Sequence, residues 1–99
     1  MPKEIIREAY IKAISSSLFD NRKRIDKLHS KDLRNMTQSQ RSKHEAGLNW
    51  EFMLKSKNEE RLGYALGYLK ISDLRSFYEP SSYHKYDGVK SEMENIKFI

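Results

Sequence analysis

A chain of 99 residues that is 37% hydrophobic and 33% charged makes one domain, residues 1–99, with a modest core beneath a large polar surface. It has no cysteine, which excludes disulfides and thiolate metal sites, and no apolar run long enough to span a membrane. The net charge of +5 is uneven: residues 1–45 hold eleven Lys/Arg against six Asp/Glu, whereas residues 46–99 hold eight of each.

The N-terminus, MPKEIIREAY, lacks the apolar stretch of a secretory signal, so a cytoplasmic chain is expected. Pro2, Glu4 and Glu8 suit a helix start, where a missing N–H costs nothing and the dipole favours negative charge. Ile5, Ile6, Ala9, Tyr10, Ala13, Ile14 and Ser17 share one arc at the helical period, predicting a helix from about Lys3 to Ser17. Leu18, Ile25 and Leu28 continue an apolar stripe rotated by about a quarter turn. That predicts either a bend near Asp20–Asn21 or a new helix capped by Asp20 and ending near His29.

Ser30 to Met36 reads as a connector. Thr37-Gln38-Ser39-Gln40 matches the S/T-x-x-E/Q capping box and opens a second helix running to about Lys55. On it Ala46, Trp50, Met53 and Leu54 form one apolar group and Leu48 and Phe52 another. Trp50 is expected to be buried against Ile6 and Ala13 of the first helix. Ser56-Lys57-Asn58-Glu59 repeats the capping pattern and predicts a third helix through Leu69 and as far as Tyr78, closed by Pro80. In the tail, Asp87-Gly88 marks a turn, and Val89, Met93 and Ile96 fit a short amphipathic helix, with a terminal strand over IKFI as the alternative.

The stretch RLGYALGYL places Gly63 and Gly67 inside that predicted third helix, where each costs roughly 0.8–1 kcal/mol relative to alanine. Leu62, Ala65, Leu66, Leu69 and Phe77 fall on one side of the helix. Gly63, Tyr64, Gly67, Ile71 and Leu74 fall on another, so the helix needs cover on two sides. Three readings follow: the glycines admit a bulky neighbour within one chain, or Gly63, Tyr64, Gly67, Ile71 and Leu74 form the seam of a homodimer, or the glycines supply flexibility that function requires.

Catalytic signatures are missing. His29, His44 and His84 are scattered without ligand spacing, no serine lies in a G-x-S-x-G turn, and the glycines form no phosphate loop. Glu59 and Glu60 are explained by a helix start. The expectation is a protein that is not an enzyme and uses no metal or cofactor.

The basic excess concentrates between Arg22 and Lys43, where eight Lys/Arg face only Asp26 and Asp32. Arg22, Lys23, Arg24, Lys27, Lys31, Arg34, Arg41 and Lys43 on one face would contact several phosphates. Gln38 and Gln40 add groups able to reach base edges at a helix N-terminus that favours anions. The competing reading is a solvated surface that keeps a small protein soluble. The expected fold is thus an all-α domain of three to four helices forming a homodimer. The expected function is non-catalytic, backbone-dominated binding of DNA or RNA. The alternative is a small accessory or inhibitor protein that binds another protein. Cysteine-free chains of this length, rich in Lys, Asn, Ser and Tyr, are also the kind that phages and other mobile elements encode, an association of composition alone.

Overall fold

The computed structural model describes residues 3–81 and 84–96. Three helices dominate: α1 (Lys3–His29), α2 (Gln38–Ala65) and α3 (Lys90–Ile96). Between α2 and α3 come a short 3-10 helix, Ile71–Asp73, and a two-stranded ribbon, β1 (Phe77–Ser81) and β2 (His84–Asp87). The protein is all-α in class, as the periodicity implies, with the ribbon as an appendage.

α1 does not break at Asp20. Its inner face steps by four and three through Arg7, Ile11, Ile14, Leu18, Asn21, Ile25 and Leu28, and none of these is exposed. α2 runs antiparallel with its own 4–3 series, His44, Leu48, Glu51, Lys55, Asn58, Leu62 and Ala65, again without an exposed member. A repeat of 3.5 residues keeps one seam facing a partner along two long helices, the pattern of a coiled coil. The rotated stripe in α1 is therefore one seam read with its polar members missing. Asp20 is exposed on the outer face and caps nothing.

α2 likewise runs through the second capping pattern. Asn58 is buried in the seam and accepts from Arg61 Nη1 at 2.8 Å, so it serves tertiary packing instead of a helix start. Thr37 does cap: its hydroxyl accepts from Gln40 N at 3.1 Å while Gln40 Oε1 accepts from Thr37 N at 2.9 Å. The helix stops at the second glycine. Gly67 has φ +87°, Gly67 N donates to Tyr64 O at 3.1 Å, and Tyr68 N donates to Gly63 O at 2.9 Å. This left-handed closure satisfies the last carbonyls and needs a residue without a Cβ penalty. Leu69 then folds back over Gly63, where an added Cβ would lie 2.7 Å from Leu69 Cδ1.

The predicted third helix over 56–78 is thus the end of α2, the 3-10 turn and β1. Pro80 lies inside β1, at the irregularity between the Tyr78 and Ser81 pairings, in a ribbon whose strands both have an open edge. Gly88 closes the ribbon: its N donates to Ser76 O at 2.8 Å, and a Cβ there would run into the Arg75 carbonyl. α3 confirms the amphipathic reading of Val89, Met93 and Ile96; the strand alternative for IKFI falls, beyond Ile96, outside the described residues.

The core proper gathers Tyr64, Ala65, Leu74, Val89 and Met93, flanked by Tyr10, Ile11, Leu69, Ile71 and Ile96. Three members of the expected dimer seam, Tyr64, Ile71 and Leu74, are spent here within one chain. Gly63 is filled by Leu69, and Gly67 is an exposed helix terminus. The cover required on two sides of this segment comes from α1 on one side and the 3-10 turn, ribbon and α3 on the other. That removes the reason for assigning these five residues to self-association. Trp50 is a further correction: at 45% exposure it stands outside both seam and core. Ala13 and Ile6 are exposed too, because the inner face of α1 is centred on Ile14 and Leu18 instead.

Candidate nucleic-acid interface

The fold brings the basic residues to one end of the helical hairpin. Arg22, Lys23, Arg24 and Lys27 lie on the last turns of α1, Lys31 and Arg34 on the connector, and Gln38, Gln40, Arg41 and Lys43 on the first turns of α2. All ten are exposed. They share an end of the molecule, yet they are not equivalent.

Arg22 and Arg24 flank the seam on opposite edges. Arg24 Nε donates to Glu51 Oε1 at 2.9 Å, while Glu51 Oε2 accepts from the fully buried Asn21 Nδ2 at 2.6 Å. Arg22 reaches Glu59 at 4.0 Å, a loose and solvent-exposed pairing. On the connector, Arg34 grips Asp32 in a fork of 3.1 and 2.9 Å, and Asp32 Oδ1 also accepts from Arg34 N at 2.9 Å. The Arg34 side chain, then its backbone N–H, hold the Asp32 carboxyl below its usual range, and the same pair raises the Arg34 guanidinium. Arg41 Nη2 donates to Leu33 O at 3.1 Å and so pins the connector to α2. His44 Nε2 lies 2.8 Å from Leu28 O and closes the seam just below.

Gln40 Oε1 is occupied as the reciprocal half of the cap. Gln38 is free of that duty. Lys27, Lys31 and Lys43 have no acidic partner among the described residues, and they are the charges the elbow presents to solvent.

One side chain escaped the sequence reading. Phe19 is 59% exposed on the outer face of α1, with Lys23 Nζ 4.4 Å above its ring. Lys12, Ser16, Phe19, Lys23 and Lys27 follow one another at spacings of three and four residues, so they share that outer face. The i,i+4 spacing of Phe19 and Lys23 is visible in the sequence, but Phe19 falls outside the stripe of Leu18, Ile25 and Leu28 and outside the count of basic residues. An aromatic ring beside lysines, turned away from the seam, offers a stacking surface next to phosphate-binding charge.

No group of three or more His, Asp or Glu able to hold a metal occurs among the described residues, and no helix there is long and apolar enough to cross a membrane. The class defined is a small all-α protein built on a long helical hairpin, with a basic elbow at one end and an apolar core at the other. The phage N antitermination protein family model matches residues 1–92, and the chain belongs to that family. No curated protein and no solved structure matches it.

Proposed function

We propose that this chain is a non-catalytic RNA-binding protein of phage antitermination, acting in the host cytoplasm through the elbow and the outer face of α1. The observation that carries the reading is that Lys27, Lys31 and Lys43 stand exposed without acidic partners at one end of a member of an antitermination family. Lys23 and Phe19 extend that surface along α1, and Gln38 adds a polar side chain at the start of α2. RNA is preferred over duplex DNA because antitermination acts on transcription, and an exposed aromatic ring reads unpaired bases better than stacked ones. Arg34 and Arg41 act mainly by holding the connector in shape, with Asp32 and the Leu33 carbonyl as their partners. Phosphate contacts dominate such an interface, and affinity then falls steeply with salt.

The test is a salt titration of binding to an RNA hairpin and to duplex DNA of matching sequence. Log affinity against log salt should fall with a slope of about −0.7 per phosphate contacted on single strands, against about −0.9 on duplex DNA. Reversing Lys23, Lys27 and Lys31 together to glutamate should flatten the slope by about 2–3 and weaken RNA binding sharply, while Lys90→Glu should change little. Wild-type protein that shifts neither nucleic acid at ~50 mM salt and micromolar concentration overturns the proposal.

A further inference from the structure

α2 and the segment 69–78 enclose two adjoining cavities. One, of about 270 Å³, is walled by Phe52, Met53 and Phe77. The other, of about 310 Å³, is walled by Glu59, Glu60 and Asp73. Ser56, Arg75 and Tyr78 belong to both, so the two form one groove, apolar at one end and acidic at the other.

Its apolar end keeps exposed aromatic surface, with the Phe52 ring also 5.8 Å from that of His29. Phe52 is 40% and Phe77 51% exposed, although each sits beside a well-buried neighbour, Met53 or Tyr78. The acidic end carries polar atoms that the fold does not satisfy. Glu60 Oε1 accepts from Arg75 N at 3.0 Å, but Glu60 Oε2 is buried with no hydrogen-bond partner among the described residues. The Tyr78 hydroxyl is in the same condition, on a residue only 6% exposed whose ring lies 5.3 Å from the Arg75 guanidinium. Buried polar groups are nearly always paired, so two orphans on one groove wall ask for a donor from outside the fold. Glu59 holds Arg22 and Lys55 only at 4.0 and 3.9 Å and remains available.

We infer that this groove docks a basic segment of a partner protein, an apolar side chain entering between Phe52 and Phe77 and a lysine or arginine reaching Glu59, Glu60 and Asp73. Charge selects this occupant. Three carboxylates line a wall of an otherwise basic protein, so the groove repels RNA and attracts a cation. Arg75, at the junction, is placed to donate to the carbonyls of an extended chain. No α1 residue lines the groove, so it shares no residue with the surface of Phe19, Lys23 and Lys27. The inference does not depend on the RNA reading.

The experiment measures fluorescence anisotropy of the full chain with a fluorescein-labelled octapeptide carrying phenylalanine two residues before an Arg-Arg pair. Its comparators replace the arginines by glutamates or the phenylalanine by serine. The basic apolar peptide should bind, and both comparators should bind at least about tenfold more weakly, which corresponds to ~1.4 kcal/mol. Glu59→Lys, at an exposed position, and Glu60→Gln, which keeps the acceptor for Arg75 N, should each weaken the peptide by a similar factor with the circular dichroism spectrum unchanged. The triple glutamate variant of Lys23, Lys27 and Lys31 should leave peptide binding intact. Equal binding of the three peptides, or full affinity in Glu59→Lys, overturns the inference. So does a wild-type dimer in sedimentation that Glu59→Lys converts to monomer, since a second copy would then fill the groove.

Discussion

The two ends of the hairpin are held by different physics. At the far end Tyr64, Ala65, Leu74, Val89 and Met93 bury apolar surface, and Val89 and Met93 are fully inaccessible. At the elbow the same two helices meet through Asn21, Glu51, His44 and the Leu28 carbonyl, with Arg24 and Arg41 tying the edges. Apolar burial is non-directional and tolerant, whereas a polar seam demands register. Polar residues at seam positions fix the pairing at a cost in stability. The elbow is therefore the specified end and the core is the stable end, which leaves Lys27, Lys31 and Lys43, unlike Arg24, Arg34 and Arg41, free of any duty in holding the fold together.

The largest break in this contrast is a cavity at the stable end. Met93→Ala removes a fully buried side chain from the middle of the core and should cost about 2–5 kcal/mol. A urea titration should show the midpoint falling with little change in slope. If the loss is small, the core is not where stability resides.

Asn21→Ala tests the specified end. It deletes the donor to Glu51 O and Glu51 Oε2 and leaves a carboxylate facing a gap, a loss of about 1–3 kcal/mol. Arg24 binding to Glu51 should weaken with it, so a double-mutant cycle of Asn21→Ala with Arg24→Ala should be non-additive.

Gly67→Ala sharpens the boundary between the two regions. With φ at +87°, alanine there should cost about 1–2 kcal/mol by straining the end of α2, and light scattering should show no change of mass. That outcome separates a helix-terminating glycine from an interface glycine, two roles with the same small-xxx-small spacing.

How legible these features were follows from the same physics. The capping box at Thr37, the connector before it and the α3 amphipathicity each rest on local chemistry, and each was readable. The continuity of α1 and α2 was not. Their seam carries Arg7, Asn21, His44, Glu51, Lys55 and Asn58, so a search for apolar periodicity sees only fragments and places breaks at Asp20 and Ser56. Tertiary partners, Glu51 for Asn21 and Arg61 for Asn58, make those polar positions tolerable, and no local pattern reveals them. The ribbon was hidden for a related reason. Phe77 and Tyr78 continue a helical-looking stripe, and only the left-handed residue at Gly67 shows that the helix has already ended. For the elbow, charge density located the region. Which cations are already held, Arg24, Arg34 and Arg41, and which have no acidic partner among the described residues needed the geometry.

A charge reversal at the elbow should leave stability almost untouched. Lys31→Glu at an exposed connector position should shift stability by no more than about 0.5 kcal/mol while weakening RNA binding. Thermal melts beside binding isotherms check this, and a large loss of stability would mean that the basic surface also holds the hairpin.

The smallest effect at neutral pH, and the most informative at high pH, lies at Tyr10. Its hydroxyl donates to Met93 Sδ at 3.9 Å, a weak bond, so Tyr10→Phe should barely alter stability near neutrality. Burial pushes the phenol up to about 12 from 10.0, helped by the nearby Glu92 carboxylate and opposed by Arg61, which itself forks onto Glu92 Oε2 at 3.1 and 2.9 Å. The sign follows from proton binding. Between pH 10 and 12 the unfolded chain has lost the Tyr10 proton while the folded chain keeps it, so the unfolded state binds fewer protons and stability falls as pH rises. Below pH 10 both states are protonated and the contribution is constant. Unfolding midpoints taken from neutral pH to 12 should therefore drop through that window in the wild type and less steeply in Tyr10→Phe. The difference between the two curves isolates Tyr10 from the lysines that titrate alongside it. Parallel curves would mean that the phenol is as well solvated in the folded chain as in the unfolded one, and that α1 is not closed against α3 at this end.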